Sequence, residues 1–253
     1  MNEDKLYTEK QIRRKTFISF GIFSLLAAST IKGWFYLKNL PPDNGLRGAV
    51  QEPVRKVLDF NETVFDKALS NDHLAKTYPL EAAVKKPRVN GDIGLDETFN
   101  PSTWKLAVTK ASGDIVNITL DEIKSLPKTE IIFNFKCIEG WSQVTHWGGV
   151  KFSDFAAAFH LNNETAMKYL GMATPDYEYY VGMDMPSALH PQTLLCYEMN
   201  GKPLPVNQGY PLRMIIPVKY GVKSIKRIGT LYFDNERPAD YWFERGYDYF
   251  SGL

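Results

Sequence analysis

Cysteine is nearly absent: only Cys137 and Cys196 occur in 253 residues, 59 positions apart. That scarcity excludes a Cys-rich zinc module, an iron–sulfur cluster and a c-type haem site, all of which need closely spaced cysteines. A single disulfide stays open, provided the compartment is oxidising. Charge of one sign is also lacking. Lys+Arg 30 against Asp+Glu 29 leaves +1, so no global field argues for nucleic acid and any basic site must be local. Heptads, internal repeats and low-complexity tracts are missing too. What is present is a globular composition, 44% hydrophobic and 13% aromatic, enough for one sizeable core or a core plus an appendage.

The longest apolar run lies near the N-terminus. Arg13, Arg14 and Lys15 precede an uncharged stretch over 16–31, and after Lys32 the apolar character resumes through Gly33, Trp34, Phe35, Tyr36 and Leu37. As a helix, 17–37 spans about 30 Å, the thickness of a bilayer core. Lys32 can snorkel to the interface, where Trp34 and Tyr36 also suit. Basic residues ahead of the run place the body outside the cytoplasm. A cleaved signal peptide ending near Ala27-Ala28-Ser29 is the alternative, but the aromatic stretch beyond it favours a retained anchor. Arg14-Lys15-Thr16-Phe17-Ile18 resembles a twin-arginine signal with lysine in place of the second arginine.

Pro41-Pro42-Asp43-Asn44-Gly45 reads as a linker. Val54, Val57, Leu58, Phe65, Ala68 and Leu69 then recur at helical spacing, predicting an amphipathic helix that ends near Ser70-Asn71-Asp72. Residues 81–100 are rich in turn formers. Beyond them Trp104, Leu106 and Val108 alternate, and a β-branched strand covers 115–120. Thr119 with Glu122 forms a capping box for a short helix stopped by Pro127. Ile131, Phe133 and Phe135 alternate up to Cys137, which therefore lies at a strand's end. Ser153 is expected to cap a helix over 154–160, Met199-Asn200-Gly201 to turn a hairpin, and 212–216 and 228–233 to form further strands. The sum is an α+β domain dominated by sheet.

Three stretches carry the chemistry. The first is Phe135-Lys136-Cys137-Ile138-Glu139-Gly140-Trp141-Ser142, followed by His146-Trp147-Gly148-Gly149. The second is Asn200-Gly201-Lys202-Pro203-Leu204, leading into Gly209-Tyr210-Pro211-Leu212-Arg213. The third is Pro217-Val218-Lys219-Tyr220-Gly221-Val222-Lys223-Ser224-Ile225-Lys226. In the third, Lys219, Lys223, Lys226 and Arg227 bracket a glycine between apolar strands. Such a loop suits an anion, most simply a phosphate; a solvated basic edge strand has the same composition. Cys137 is by default an inert core thiol, yet Lys136 beside it favours the thiolate, the form that ligates metals.

In this order, the three stretches resemble the sulfite oxidase superfamily, the oxidoreductase molybdopterin-binding domain, over about residues 101–236. The likeness is greatest to the family of periplasmic methionine sulfoxide reductase catalytic subunits. The resemblance implies a mixed-sheet molybdopterin-binding domain of α+β class preceded by a transmembrane helix. The expected division is 1–16 cytoplasmic, 17–37 anchor or signal, 38–100 linker and helical extension, and 101–253 oxidoreductase domain. The implied cofactor is molybdenum-molybdopterin, with Cys137 the protein's ligand to the metal. Gln208, Arg213, Lys223, Ser224, Ile225 and Lys226 are implied cofactor contacts, as are Thr174 and, upstream, Asn90 with Arg88 and Gly91. A soft thiolate suits a metal already held by dithiolene sulfurs, and the cofactor supplies the hard chemistry.

Sulfite oxidases hold their anion with arginines close after the cysteine; here Glu139 stands in that stretch. A carboxylate disfavours sulfite and suits a neutral S- or N-oxide, with Glu139 as proton donor or substrate hydrogen-bonding group. The alternative for Glu139 is a structural pairing with Lys136 or Arg213, and for His146 a structural role. Two other readings compete: a sulfite dehydrogenase, and a cofactor-free, membrane-tethered interaction module. With no haem motif and no dimerisation domain before Leu253, electrons are expected to come from a separate membrane haem protein or cytochrome b. The expected location is the cytoplasmic membrane, single-pass, with the catalytic domain on the periplasmic side.

Overall fold

A computed structural model describes residues 8–41, 50–68, 73–96 and 98–252 of the chain. All of the proposed linker after Pro41, and the helix end at 70–72, lie outside the described residues. Helix α1 (Glu9–Lys38) carries the apolar run, and none of its residues is buried. It is one helix long and apolar enough to cross a membrane. Helix α2 (Glu52–Ala68) follows. From there to Asn100 the described backbone holds a short 3-10 turn, Leu80–Ala82, and an isolated bridge from Thr77 to Phe133.

The body begins with β1 (Leu106–Thr109) and β2 (Ile115–Ile118), followed by α3 (Leu120–Lys124). Thr119 caps α3: its backbone N–H and hydroxyl both donate to Glu122, whose own N–H donates back to the hydroxyl. The predicted strand over 115–120 thus ends two residues early. Strands β3 (Thr129–Lys136) and β4 (Ser142–Lys151) form a long antiparallel hairpin. Helix α4 (Phe152–Ala158) starts ahead of its expected position, with Lys151 rather than Ser153 as N-cap. The correction has a packing cause: Phe152 and Phe155 are both fully buried and stack on each other, which sets the phase of the helix. Next come β5 (Tyr169–Ala173), β6 (Tyr180–Asp184), β7 (Leu194–Met199), β8 (Lys202–Pro203), β9 (Arg213–Ile215) and β10 (Thr230–Asp234). Asn200 and Gly201 turn β7 into β8, both with positive φ (52° and 68°), as a two-residue hairpin demands.

Two five-stranded sheets result. One runs β2-β1-β10-β5-β6; the other runs β3-β4-β7-β8, with β9 added beside β7. In the first, β1 and β10 pair parallel, joining the start of the domain to its end. The main core gathers Leu106, Val108, Phe155, Leu170, Met172 and Leu231. A second cluster, with Phe133, Trp147, Leu194, Cys196 and Ile215, lies against the hairpin sheet. Where β4 meets β7 the register shifts between Gly148 and Gly149. A Cβ on Gly149 would stand 2.1 Å from the Leu195 carbonyl oxygen, so no side chain fits that crossing. This α+β fold leaves the loop after β3, the turn before β9 and the loop before β10 facing one cleft.

Candidate active site

Cys137 opens a tight loop where the apolar alternation of β3 stops. Its N–H donates to Trp141 O at 2.9 Å, and its carbonyl accepts from Gly140 N at 3.0 Å. The loop returns through Gly140, at φ 88°, so that Lys136 faces Ser142 across the hairpin. Both cysteines are free. Cys196, on β7, belongs to the second core cluster and is fully buried, which pushes its thiol far up. Only Cys137 faces the cleft.

The wall opposite is made of donors. Asn90 Nδ2 lies 3.2 Å from Cys137 Sγ, an N–H···S contact. Lys226 Nζ donates to Asn90 O at 2.6 Å, Gly91 O at 2.8 Å and Asn207 O at 3.1 Å. The sulfur and the basic loop are thus one residue apart through Asn90, across 136 positions of sequence. Arg213 on β9 is buried: it donates to Gln208 O (3.1 Å), Gln208 Oε1 (2.9 Å) and Ser224 O (3.1 Å) and lies 4.6 Å over the Trp147 ring. Gln208 closes the ring by donating to Arg88 O at 3.3 Å. Gly209 follows it at φ 100°, and a Cβ there would stand 2.8 Å from Arg227 N, so glycine alone allows the turn to approach the basic loop.

Electrostatically the cleft is cationic and uncompensated. Burial brings the Arg213 guanidinium down to about 10. Burial first, then Arg213, brings the Lys226 ammonium down to about 7. Neither has a carboxylate bonded to it among the described residues, and Arg213 Nε is buried without a partner. An orphaned guanidinium nitrogen, an ammonium and the Ser224 hydroxyl around one cleft, with a lone thiol at its other end, form a donor set for an anionic tail and a soft metal. The residues present fit a molybdenum-molybdopterin group.

Three implied contacts lie outside the cleft lining. Lys223 is buried, but its ammonium is bound to Asp240 at 2.5 Å and Gly182 O at 3.0 Å, outside the cleft lining. Ile225 sits in the main core, and its N–H is taken by Lys223 O. Thr174 is fully buried, its hydroxyl donating to Asp176, and it too is absent from the lining. Asn90, Cys137, Glu139, Gln208, Arg213, Ser224 and Lys226 are all brought together there.

Glu139 stands at the rim, half exposed. It pairs with neither Lys136 nor Arg213: its carboxylate accepts from the Trp141 indole at 3.1 Å and lies 4.0 Å from Arg88. Arg88 in turn lies 4.8 Å over the Trp141 ring. His146 is buried with Nε2 3.3 Å from the Glu130 carboxylate, away from the cleft lining. Sequence reasoning missed the aromatic wall formed by Tyr179, Trp242 and Tyr247. The aromatic cluster at 241–247 was its one visible signal.

Comparison with known proteins agrees with this geometry. Residues 93–242 match the oxidoreductase molybdopterin binding domain family. A chain from Azospira oryzae, provisionally named a protein-methionine-sulfoxide reductase subunit, YedZ1, is 33% identical over 81% of this chain and 78% of its own length. The protein-methionine-sulfoxide reductase catalytic subunit MsrP of Campylobacter jejuni is 26% identical over 94% and 77%. Among solved structures, the sulfane dehydrogenase SoxCD of Paracoccus pantotrophus superposes with a TM-score of 0.50 at 17% identity. That likeness covers 66% of this chain and 46% of the other, and is one of fold.

Proposed function

The chain belongs to the oxidoreductase molybdopterin-binding domain family, of the sulfite oxidase superfamily, and from that premise we propose that it reduces a neutral S- or N-oxide at a molybdenum centre ligated by Cys137. The observation that carries this reading is the cleft itself, with one buried sulfur touched by an amide at one end and, at the other, two cations with no carboxylate bonded to them, one of which has a buried nitrogen without a partner. The bound cofactor supplies oxygen-atom exchange coupled to two electrons. Cys137 provides the thiolate, with the Asn90 N–H fixing the direction of its lone pairs. Arg213, Lys226 and Ser224 hold the phosphate-bearing tail, and Gln208 orients Arg213. Reducing a sulfoxide to its thioether and water takes two protons and two electrons. Glu139, exposed at the rim and in reach of solvent, delivers protons to the leaving oxygen or hydrogen-bonds the substrate.

The rim favours a neutral substrate. Arg88, the guanidinium there, is held by Trp141 and neutralised by Glu139 at 4.0 Å, whereas a sulfite dehydrogenase needs its rim cations free for the anion. The relatives named as methionine sulfoxide reductases point to the same substrate class. In this reading 1–16 stays in the cytoplasm, 17–37 spans the membrane within α1, 38–100 forms the extension and 101–253 the periplasmic domain. The extension supplies Arg88 and Asn90 to the site. A membrane haem protein or cytochrome b delivers the electrons.

Metal analysis of the exported chain and of Cys137→Ala is the test, with assays on methionine sulfoxide and on sulfite. One molybdenum per wild-type chain, none in the variant, and turnover of the sulfoxide only are expected. Stoichiometric metal in Cys137→Ala would refute the ligation, faster sulfite turnover would replace the substrate, and a metal-free wild type would leave the interaction module.

A further inference from the structure

Helix α2 is built inside out. At about 100° per residue, Val57, Phe60 and Val64 fall within about 60° of one another, and Val54 lies beside them. All four are exposed, Phe60 at 66% and Val57 at 58%. Arg55 and Glu62 lie on the opposite side, and there the helix meets the domain. Arg55 is 2% exposed and sits 4.4 Å over the Phe243 ring, and Glu62 is paired with Arg237. A surface helix ordinarily turns its apolar stripe inward. Here the charged face is the one taken by the protein, and the apolar face is left without protein cover among the described residues.

We propose that this outward face lies on the surface of the bilayer, a reading that rests on the anchoring of α1. Two observations single out lipid as the occupant. Thirteen residues, 39–51, separate the end of α1 from α2, so the stripe is confined within ~45 Å of the end of the span. The side chains of α1 are themselves unburied, so two successive helices both present apolar surface that this domain does not cover. The charge pattern does not oppose anionic headgroups. Asp59 and Glu62 are half-buried on the protein side, and the one acid exposed toward the start of the helix, Glu52, is paired with Lys56 at 2.7 Å. An amphipathic helix with such a stripe settles about 5–10 Å into the headgroup region. Since Phe243 adjoins Trp242 in the aromatic wall, α2 lying on the membrane holds the cleft at a set height and tilt, toward a membrane-bound electron donor.

The experiment uses the full chain in protein-free vesicles of phosphatidylethanolamine and phosphatidylglycerol, with a protease site introduced within 42–49. Flotation is measured before and after cutting. The severed wild-type domain stays with the vesicles, and the Val57→Asp/Phe60→Asp variant is released, its bound fraction falling at least about tenfold. Full molybdenum content in that variant shows that it has folded; a variant that misfolds is replaced by Val57→Ser/Phe60→Ser, for which the same release is expected. Release of the wild type on cutting overturns the inference and leaves the anchor standing, and so does retention of the variants. Retention only on native membranes assigns the face to a protein partner instead. Retention lost when each vesicle carries a single chain assigns it to a second copy. An uncut chain that fails to float overturns anchor and inference together.

Discussion

Replacing Arg213 with methionine separates what the cleft costs the fold from what its ligand returns. The guanidinium is 3% exposed, with three acceptors but no anion bonded to it. Burial lowers it from its ordinary value to about 10, a fall that corresponds to about 3 kcal/mol. That penalty is complete below pH 10 and is relieved only as pH rises above it, so it is constant through the neutral range. In the ligand-free chain the substitution relieves the penalty but strands three acceptors, at about 1–3 kcal/mol each; the two nearly cancel or leave a net loss of up to about 6 kcal/mol. In the loaded protein the anionic tail has already cancelled the penalty, so only the losses remain. The coupling between Arg213 and the bound group is therefore about 3 kcal/mol, or ~100-fold in retention. Urea unfolding of loaded and ligand-free protein, wild type and variant, closes the four-cornered cycle. A coupling under about 0.5 kcal/mol would refute the reasoning.

Two further predictions concern the cleft. Asn90→Ala removes the amide from the sulfur and should speed molybdenum loss to a chelator by about 10–100-fold; unchanged loss would mean the N–H···S contact is incidental. Lys226 is held at about 7 when folded against 10.5 in the open chain, so the unfolded form binds more protons between those values. Ligand-free stability should then climb with pH from 7 to 10.5, the burial penalty being complete below 7. Lys226→Met should flatten that climb by up to a few kcal/mol, and parallel wild-type and variant curves count against it.

Local chemistry was legible in the sequence where a short motif decides the geometry. Thr119 with Glu122, the Asn200-Gly201 turn and the apolar alternation leading to Cys137 all declared themselves. Ser153 did not cap its helix because the buried Phe152–Phe155 pair, a tertiary matter, set the phase. The basic loop shows the same limit more sharply. Lys219, Lys223 and Lys226 look alike on paper, yet Lys219 pairs with Asp184 and Lys223 with Asp240, leaving Lys226 alone in the cleft. Those partners lie 35 and 17 residues away, and no spacing rule reaches them. Thr174 and Ile225 were offered by resemblance, and both side chains are buried away from the cleft lining. Asn90, by contrast, was offered by resemblance alone, and the structure put it against the sulfur.

The Lys226 ammonium also has a temporal meaning. It clasps the backbone at 90–91 and at 207 with a residue near the end of the domain, and β1 must await β10 to complete its sheet. Contacts of such long sequence separation form late. A nascent chain stopped before residue 226 would have made its cysteine but not the ammonium that clasps Asn90 beside it. On the proposed reading, loading with the cofactor follows synthesis through residue 226, and truncation before that residue should cost metal before it costs the hairpin that carries the thiol.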